Sequence, residues 1–170
     1  MDRKKFLVQV AGGTAALVLM KNRVLGKAVS QQEPPPLPIP LVKEFVIAGH
    51  GDFAKVQAML KDTPNLIYTK FDWGNGDYEA AIEGAGHVGN KEIANYLLES
   101  GSRVTLYILT MLGKTELVKP VLEAYPSLVH AKGPHGFTLL HHAKVGGKDG
   151  EELFAYLQEK GLKDDWIKLR

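Results

Sequence analysis

No cysteine occurs among the 170 residues. Its absence excludes disulfides, thiolate metal sites, thiol nucleophiles and lipid attachment through cysteine. The redox compartment stays open, because a chain without thiols tolerates either state. The four serines are Ser30, Ser100, Ser102 and Ser127, and none sits in a Gly-x-Ser-x-Gly elbow. Phosphate-loop spacing is missing too: Gly113-Lys114-Thr115 resembles the end of such a loop, but Thr105 to Leu109 upstream hold no glycine. The longest uncharged stretch, Phe6 to Met20, would span about 22 Å as a helix, short of the ~30 Å hydrocarbon core. What is present is 45% hydrophobic and 24% charged, a globular composition with room for one domain and an appended segment.

The formal charge of +2 is unevenly spread. Residues 1–30 carry Arg3, Lys4, Lys5, Lys21, Arg23 and Lys27 against Asp2 alone, a net of +5, which leaves −3 for residues 31–170. Nucleic acid and anionic membrane are therefore not favoured partners of the remainder. A basic start, a short apolar run and the small-residue end Ala28-Val29-Ser30 are the parts of an export signal. Asp2-Arg3-Lys4-Lys5-Phe6-Leu7 resembles the twin-arginine export motif, with Lys4 in place of the second arginine. A general secretory signal, an uncleaved membrane tether and a cytoplasmic extension are the alternatives. Cleavage is expected between Ser30 and Gln31, giving a periplasmic product. Glu33 to Pro40 hold five prolines, which enforce polyproline geometry and make 31–40 a semi-rigid linker.

From Leu41 onward the sequence repeats. Ala48-Gly49-His50-Gly51-Asp52, Ala85-Gly86-His87-Val88-Gly89-Asn90, Leu112-Gly113-Lys114 and Val145-Gly146-Gly147-Lys148 each break one helical pattern and start another. The apolar faces that follow are Phe53, Val56, Met59, Leu60; Ile93, Leu97, Leu98; Leu117, Val121, Leu122; and Leu153, Phe154, Leu157. Glycines 51, 89, 113 and 147 are expected to adopt the left-handed conformation that such stops use. Asp52, Asn90 and Thr115 are the expected caps of the return helices. Such antiparallel pairs, burying one stripe each against their neighbours, make a solenoid.

Asn90 to Gly101 resembles the second helix and turn of an ankyrin repeat, and Gly136-Phe137-Thr138-Leu139-Leu140-His141-His142-Ala143 is similar to that family's Gly-x-Thr-Pro-Leu-His-x-Ala signature, with Leu139 for proline. The resemblance covers about residues 41–161. It implies an all-helical solenoid of about four repeats, near 41–72, 73–101, 102–130 and 131–161, with a C-terminal cap at 162–170. The turn glycines are 38, 24 and 34 residues apart, against an ankyrin period of about 33. The long first gap predicts an enlarged finger through Asp72 to Asp77, and the short second gap predicts that Ser102-Arg103-Val104 leads straight into helix. Pro120 inside the third return helix is expected to bend it.

Each candidate for chemistry has a structural alternative. His135, His141 and His142, with His130 upstream, are the densest histidine cluster, but adjacent His141 and His142 diverge by about 100° on a helix. The resemblance implies that His141 bonds backbone in the turn. His50 and His87 beside turn glycines read as turn-stabilising residues. Glu79 and Glu83, four apart, can share a helix face and act as an acid–base pair, or line a binding face. Asp72, Asn75 and Asp77 lack the spacing and the glutamate of a calcium loop. Phe71, Trp73 and Tyr78 around the finger, with Tyr107 opening the next inner helix, are large amphipathic side chains of the kind that anchor partners. Trp166 is placed to close the apolar edge of the last repeat.

The sequence thus reads as an exported, monomeric, non-enzymatic protein-binding scaffold without cofactor. Its contacts are expected at Phe71, Trp73, Tyr78, Glu79 and Tyr107. The alternative is a metal-binding protein or hydrolase using Glu79/Glu83 or the His135/His141 region.

Overall fold

The computed structural model describes residues 34–169, and its regular structure is almost wholly helical. The signal residues Arg3, Lys4, Phe6 and Leu7 and the cleavage site Ser30/Gln31 lie outside the described residues. The chain divides into two units, Met1–Pro35 and Pro36–Arg170. Of the first, only Pro34 and Pro35 are described, without regular structure. Among the described residues no helix is long and apolar enough to cross a membrane.

In the second unit the helices come in pairs: α1 (Ile39–Ala48) with α2 (Phe53–Asp62), α3 (Ala81–His87) with α4 (Lys91–Glu99), α5 (Leu106–Met111) with α6 (Thr115–Ala124), and α7 (Leu139–Val145) with α8 (Glu151–Glu159). The first members pack in a row, α1 on α3, α3 on α5, α5 on α7. Helix α1 starts two residues before the expected boundary, because Pro40 falls in its first turn, where a missing N–H leaves no helix bond unmade. Between α2 and α3 the long connection forms a 3₁₀ turn (Pro64–Tyr68) and a two-stranded antiparallel hairpin, β1 (Phe71–Asp72) against β2 (Tyr78–Glu79). Between α4 and α5 the chain runs through Ser102 to Val104 without a strand.

Two layers of apolar contact hold the row together. One joins Phe45, Val56, Leu66, Ile82, Ile93, Leu97, Ile108 and Met111; the other joins Val118, Leu122, Leu139, Leu153 and Leu157. Full burial of each such side chain contributes about 1.5–3 kcal/mol. Of the expected face of α6, Leu122 is buried but Leu117 and Val121 are exposed, and Val118 is buried instead. Apolar residues occur in adjacent pairs there, so their spacing alone could not choose the phase. Helix α6 continues from Thr115 to Ala124 across Pro120.

Local punctuation follows the sequence with two exceptions. Asp52 and Asn90 accept from the amides of Lys55 and Ile93, capping α2 and α4. Thr115 instead begins α6, and Lys114 before it makes no side-chain cap. Gly89, Gly113 and Gly147 are left-handed, but Gly51 is not. Gly49 carries the constraint at that turn: a Cβ there would overlap Ala81, so a side chain would push α1 off α3.

Candidate functional site

Helices α1 and α3 lie side by side, and both carry Ala-Gly-His at their C-terminal ends, with His87 the last residue of α3 and His50 in the turn two residues past α1. The packing of these two ends brings His50 and His87 to one place, with ring centroids 4.7 Å apart. The β1–β2 hairpin brings Glu79 against both. A 3₁₀ turn before α7 (Pro134–Gly136) brings His135 from the far end of the chain. One ring nitrogen of each histidine and a carboxylate oxygen of Glu79 all lie within 4.8 Å of one another.

Glu79 sits at the centre and is fully buried. Its Oε1 is 3.4 Å from His50 Nε2 and 3.4 Å from His87 Nδ1, and its Oε2 is 3.3 Å from His135 Nε2. The indole N–H of Trp73 donates to Oε2 at 2.8 Å. Neither Glu79 Oε1 nor His87 Nδ1 has a hydrogen-bond partner, although both are buried. Leaving two such atoms unpaired costs about 1–3 kcal/mol each, a penalty that native interiors rarely carry without a reason.

The second nitrogens of two rings are already committed. His50 Nδ1 lies 3.1 Å from the carbonyl of Val46, an acceptor only, so that nitrogen carries a proton and Nε2 is the one turned to the carboxylate. His135 Nδ1 is 2.7 Å from Asp77 Oδ2, which likewise turns its Nε2 toward Glu79. His87 is held by its neighbours: its ring packs on Phe137, and its carbonyl accepts from His141 Nε2 at 2.8 Å.

The electrostatics are those of one anion among three imidazoles. The Glu79 carboxylate beside it raises the pKa of His50 against an opposing effect of burial. Burial alone would raise that of Glu79, but His50, His87 and His135 together hold it below the usual carboxylate range. Burial pushes His87 down to about 4, so this ring is neutral at ordinary pH and free to donate a lone pair.

This arrangement places several sequence-derived residues elsewhere than expected. Glu79 is buried, so it is not a surface contact, and it lies on β2 rather than sharing a helix face with Glu83. Glu83 is also buried; it accepts from the Ala80 amide and from Lys70 Nζ at 3.0 and 2.9 Å, and it stays outside the cluster. Tyr107 is half-buried against His142, with burial pushing its hydroxyl up to about 12. Phe71 is half-buried and meets Trp73 edge-on. Trp73, beside the Gly74–Gly76 tip, and Tyr78 remain exposed at 37% and 54%. Trp166 is not an apolar plug: it is 53% exposed and donates its N–H to the carbonyl of His135.

His141 bonds backbone, as the resemblance implies, but the carbonyl is that of distant His87 rather than one in its own turn. His142 donates its Nδ1–H to the Thr138 carbonyl and is buried, but is not one of the cluster's four residues. His50 and His87, read from sequence as turn residues, are the ones that join it. The recurrence of Ala-Gly-His before the return-helix caps Asp52 and Asn90 was the signal that could have found them, although the two histidines stand one residue apart in register.

Four donors, three nitrogen and one oxygen, fit a borderline divalent metal. Tetrahedral coordination with bonds of roughly 2.0–2.1 Å sets adjacent donors roughly 3.4 Å apart. The two contacts to Oε1, from His50 and His87, match that edge, His135 meets the other oxygen of the same carboxylate at 3.3 Å, and all three contacts are long for hydrogen bonds. Comparison with known protein families, with characterised proteins and with solved structures finds no match to this chain.

Proposed function

We propose that this chain is a non-enzymatic, ankyrin-type helical module that binds one divalent transition-metal ion through His50, Glu79, His87 and His135. The observation that carries the reading is the pair of buried, unpaired ligand atoms, Glu79 Oε1 and His87 Nδ1, facing each other at 3.4 Å. A metal ion satisfies both at once and draws in His50 Nε2 and His135 Nε2 as well, where a proton shared between these two atoms would leave the other two nitrogens facing the carboxylate at 3.4 and 3.3 Å. Imidazole-rich, sulfur-free sites favour Zn²⁺, Cu²⁺ or Ni²⁺ over Mg²⁺ and Ca²⁺, which take oxygen ligands. Four protein donors also leave no coordination position for a substrate when the ion is tetrahedral, the pattern of structural centres. The fold supports the ankyrin-type assignment through four helix pairs in a row and the hairpin finger between the first two.

Titration calorimetry of the metal-free protein should give one tight Zn²⁺ site per chain and no heat with Mg²⁺ or Ca²⁺ at the same concentrations. Equal weak heats from all three ions would exclude the reading. A protein-binding role for the finger remains a second proposal, favoured by the exposure of Trp73 and Tyr78 on a hairpin pinned from below by Glu79 and Asp77. Such a scaffold would work in the periplasm after export, as residues 1–30 suggest.

A further inference from the structure

Resting on that reading of the site, we infer that Asp77 is the positioning residue of the centre, acting on the metal only through His135. His135 is one of two non-glycine residues with positive φ among the described residues, at 58°. A left-handed backbone at a residue with a side chain is sparsely populated and persists only where its surroundings enforce it. Three hydrogen bonds do so. Asp77 Oδ1 accepts from the His135 amide at 2.8 Å, Asp77 Oδ2 takes the ring Nδ1–H at 2.7 Å, and the His135 carbonyl accepts from Trp166 Nε1 at 2.6 Å.

Asp77 thereby fixes both the backbone and the ring of one residue. The effect is to aim Nε2 at Glu79 from an element 58 residues away in sequence. His87 ends α3 and His50 follows α1 directly, its ring tied back to the Val46 carbonyl, so helix packing sets both positions, but His135 sits on a short turn without such support. A carboxylate on the outer nitrogen fixes the tautomer that leaves Nε2 free and makes that nitrogen a stronger donor. Asp77 itself lies directly after the Gly74–Gly76 tip of the hairpin, two residues before Glu79. One finger therefore supplies a ligand and the residue that orients a second.

A double-mutant cycle on Zn²⁺ affinity tests this. His135→Asn keeps a residue that tolerates positive φ and removes the ligand; Asp77→Asn keeps an oxygen for the His135 amide and removes the charge. In the full-length protein Asp77→Asn should weaken Zn²⁺ binding about 10–100-fold. In the His135→Asn background the same change should alter affinity less than about threefold, because its route to the metal is gone. The visible spectrum of the Co²⁺-loaded protein should also shift in Asp77→Asn, a readout that reports coordination in the folded molecules whatever the loss of stability. Equal weakening in both backgrounds, or none in either, overturns the role of Asp77 while leaving the metal site standing. Failure of the unaltered protein to bind Zn²⁺ or Co²⁺ overturns both.

Discussion

Replacing Glu79 with Gln should weaken Zn²⁺ binding by about 100-fold or more, whereas Glu83→Gln should leave it within about threefold. The two carboxylates are four residues apart and both buried, so the contrast depends on what each touches. Glu79 faces three imidazole nitrogens and supplies the only formal negative charge among the four donors. Gln keeps the volume and an oxygen for the Trp73 indole but lacks the charge that offsets a divalent ion. Glu83 is satisfied by Lys70 and by the Ala80 amide, with nothing left for a metal. Calorimetry on the two variants, with circular dichroism to confirm that each is folded, decides the matter. Equal affinities would mean that the ion, if bound, sits elsewhere.

The second large effect is on stability against pH, and beside His87 its source is His142. This ring is 1% exposed, and burial pushes its pKa down to about 4. The groups facing it are His141 and His87, which lower its proton affinity further, the Thr138 carbonyl that accepts its Nδ1–H, and the ring of Tyr107. In the unfolded chain the same ring titrates near 6.5. Between those values the unfolded state holds a proton that the folded state refuses, so stability falls as pH drops from 6.5 to 4 and this contribution then levels off. The shift corresponds to about 3 kcal/mol at most. Urea denaturation at pH 7 and pH 4 should show wild type losing about that much more than His142→Gln, which keeps a donor but does not titrate. A parallel loss in both proteins would assign the acid sensitivity to other groups.

Much of the scaffold was legible because its determinants are local. Asp52 and Asn90 cap the helices they precede, and the long gap between Gly51 and Gly89 holds a hairpin. Where two local rules tied, sequence could not choose, as at Leu117/Val118 and Val121/Leu122 on α6. The site was harder for a different reason. Its four ligands have no motif spacing along the chain, and a search for His-x-x-x-His on one helix looks in the wrong dimension. What assembles them is the stacking of α1 on α3, which brings the His50 and His87 rings to 4.7 Å, and the fold-back of residues 134–136 onto the hairpin. Glu79 looked like a surface residue because glutamates are mostly exposed unless paired. Only the packed structure reveals the histidines that pair it.

The most direct measurement is anomalous diffraction from crystals of the protein loaded with Zn²⁺. The account predicts one strong peak bonded to His50 Nε2, His87 Nδ1, His135 Nε2 and a Glu79 oxygen, at distances of roughly 2.0–2.2 Å. A peak ligated mainly by water and surface carboxylates, with Glu79 still ringed by unmetallated histidines, would contradict it.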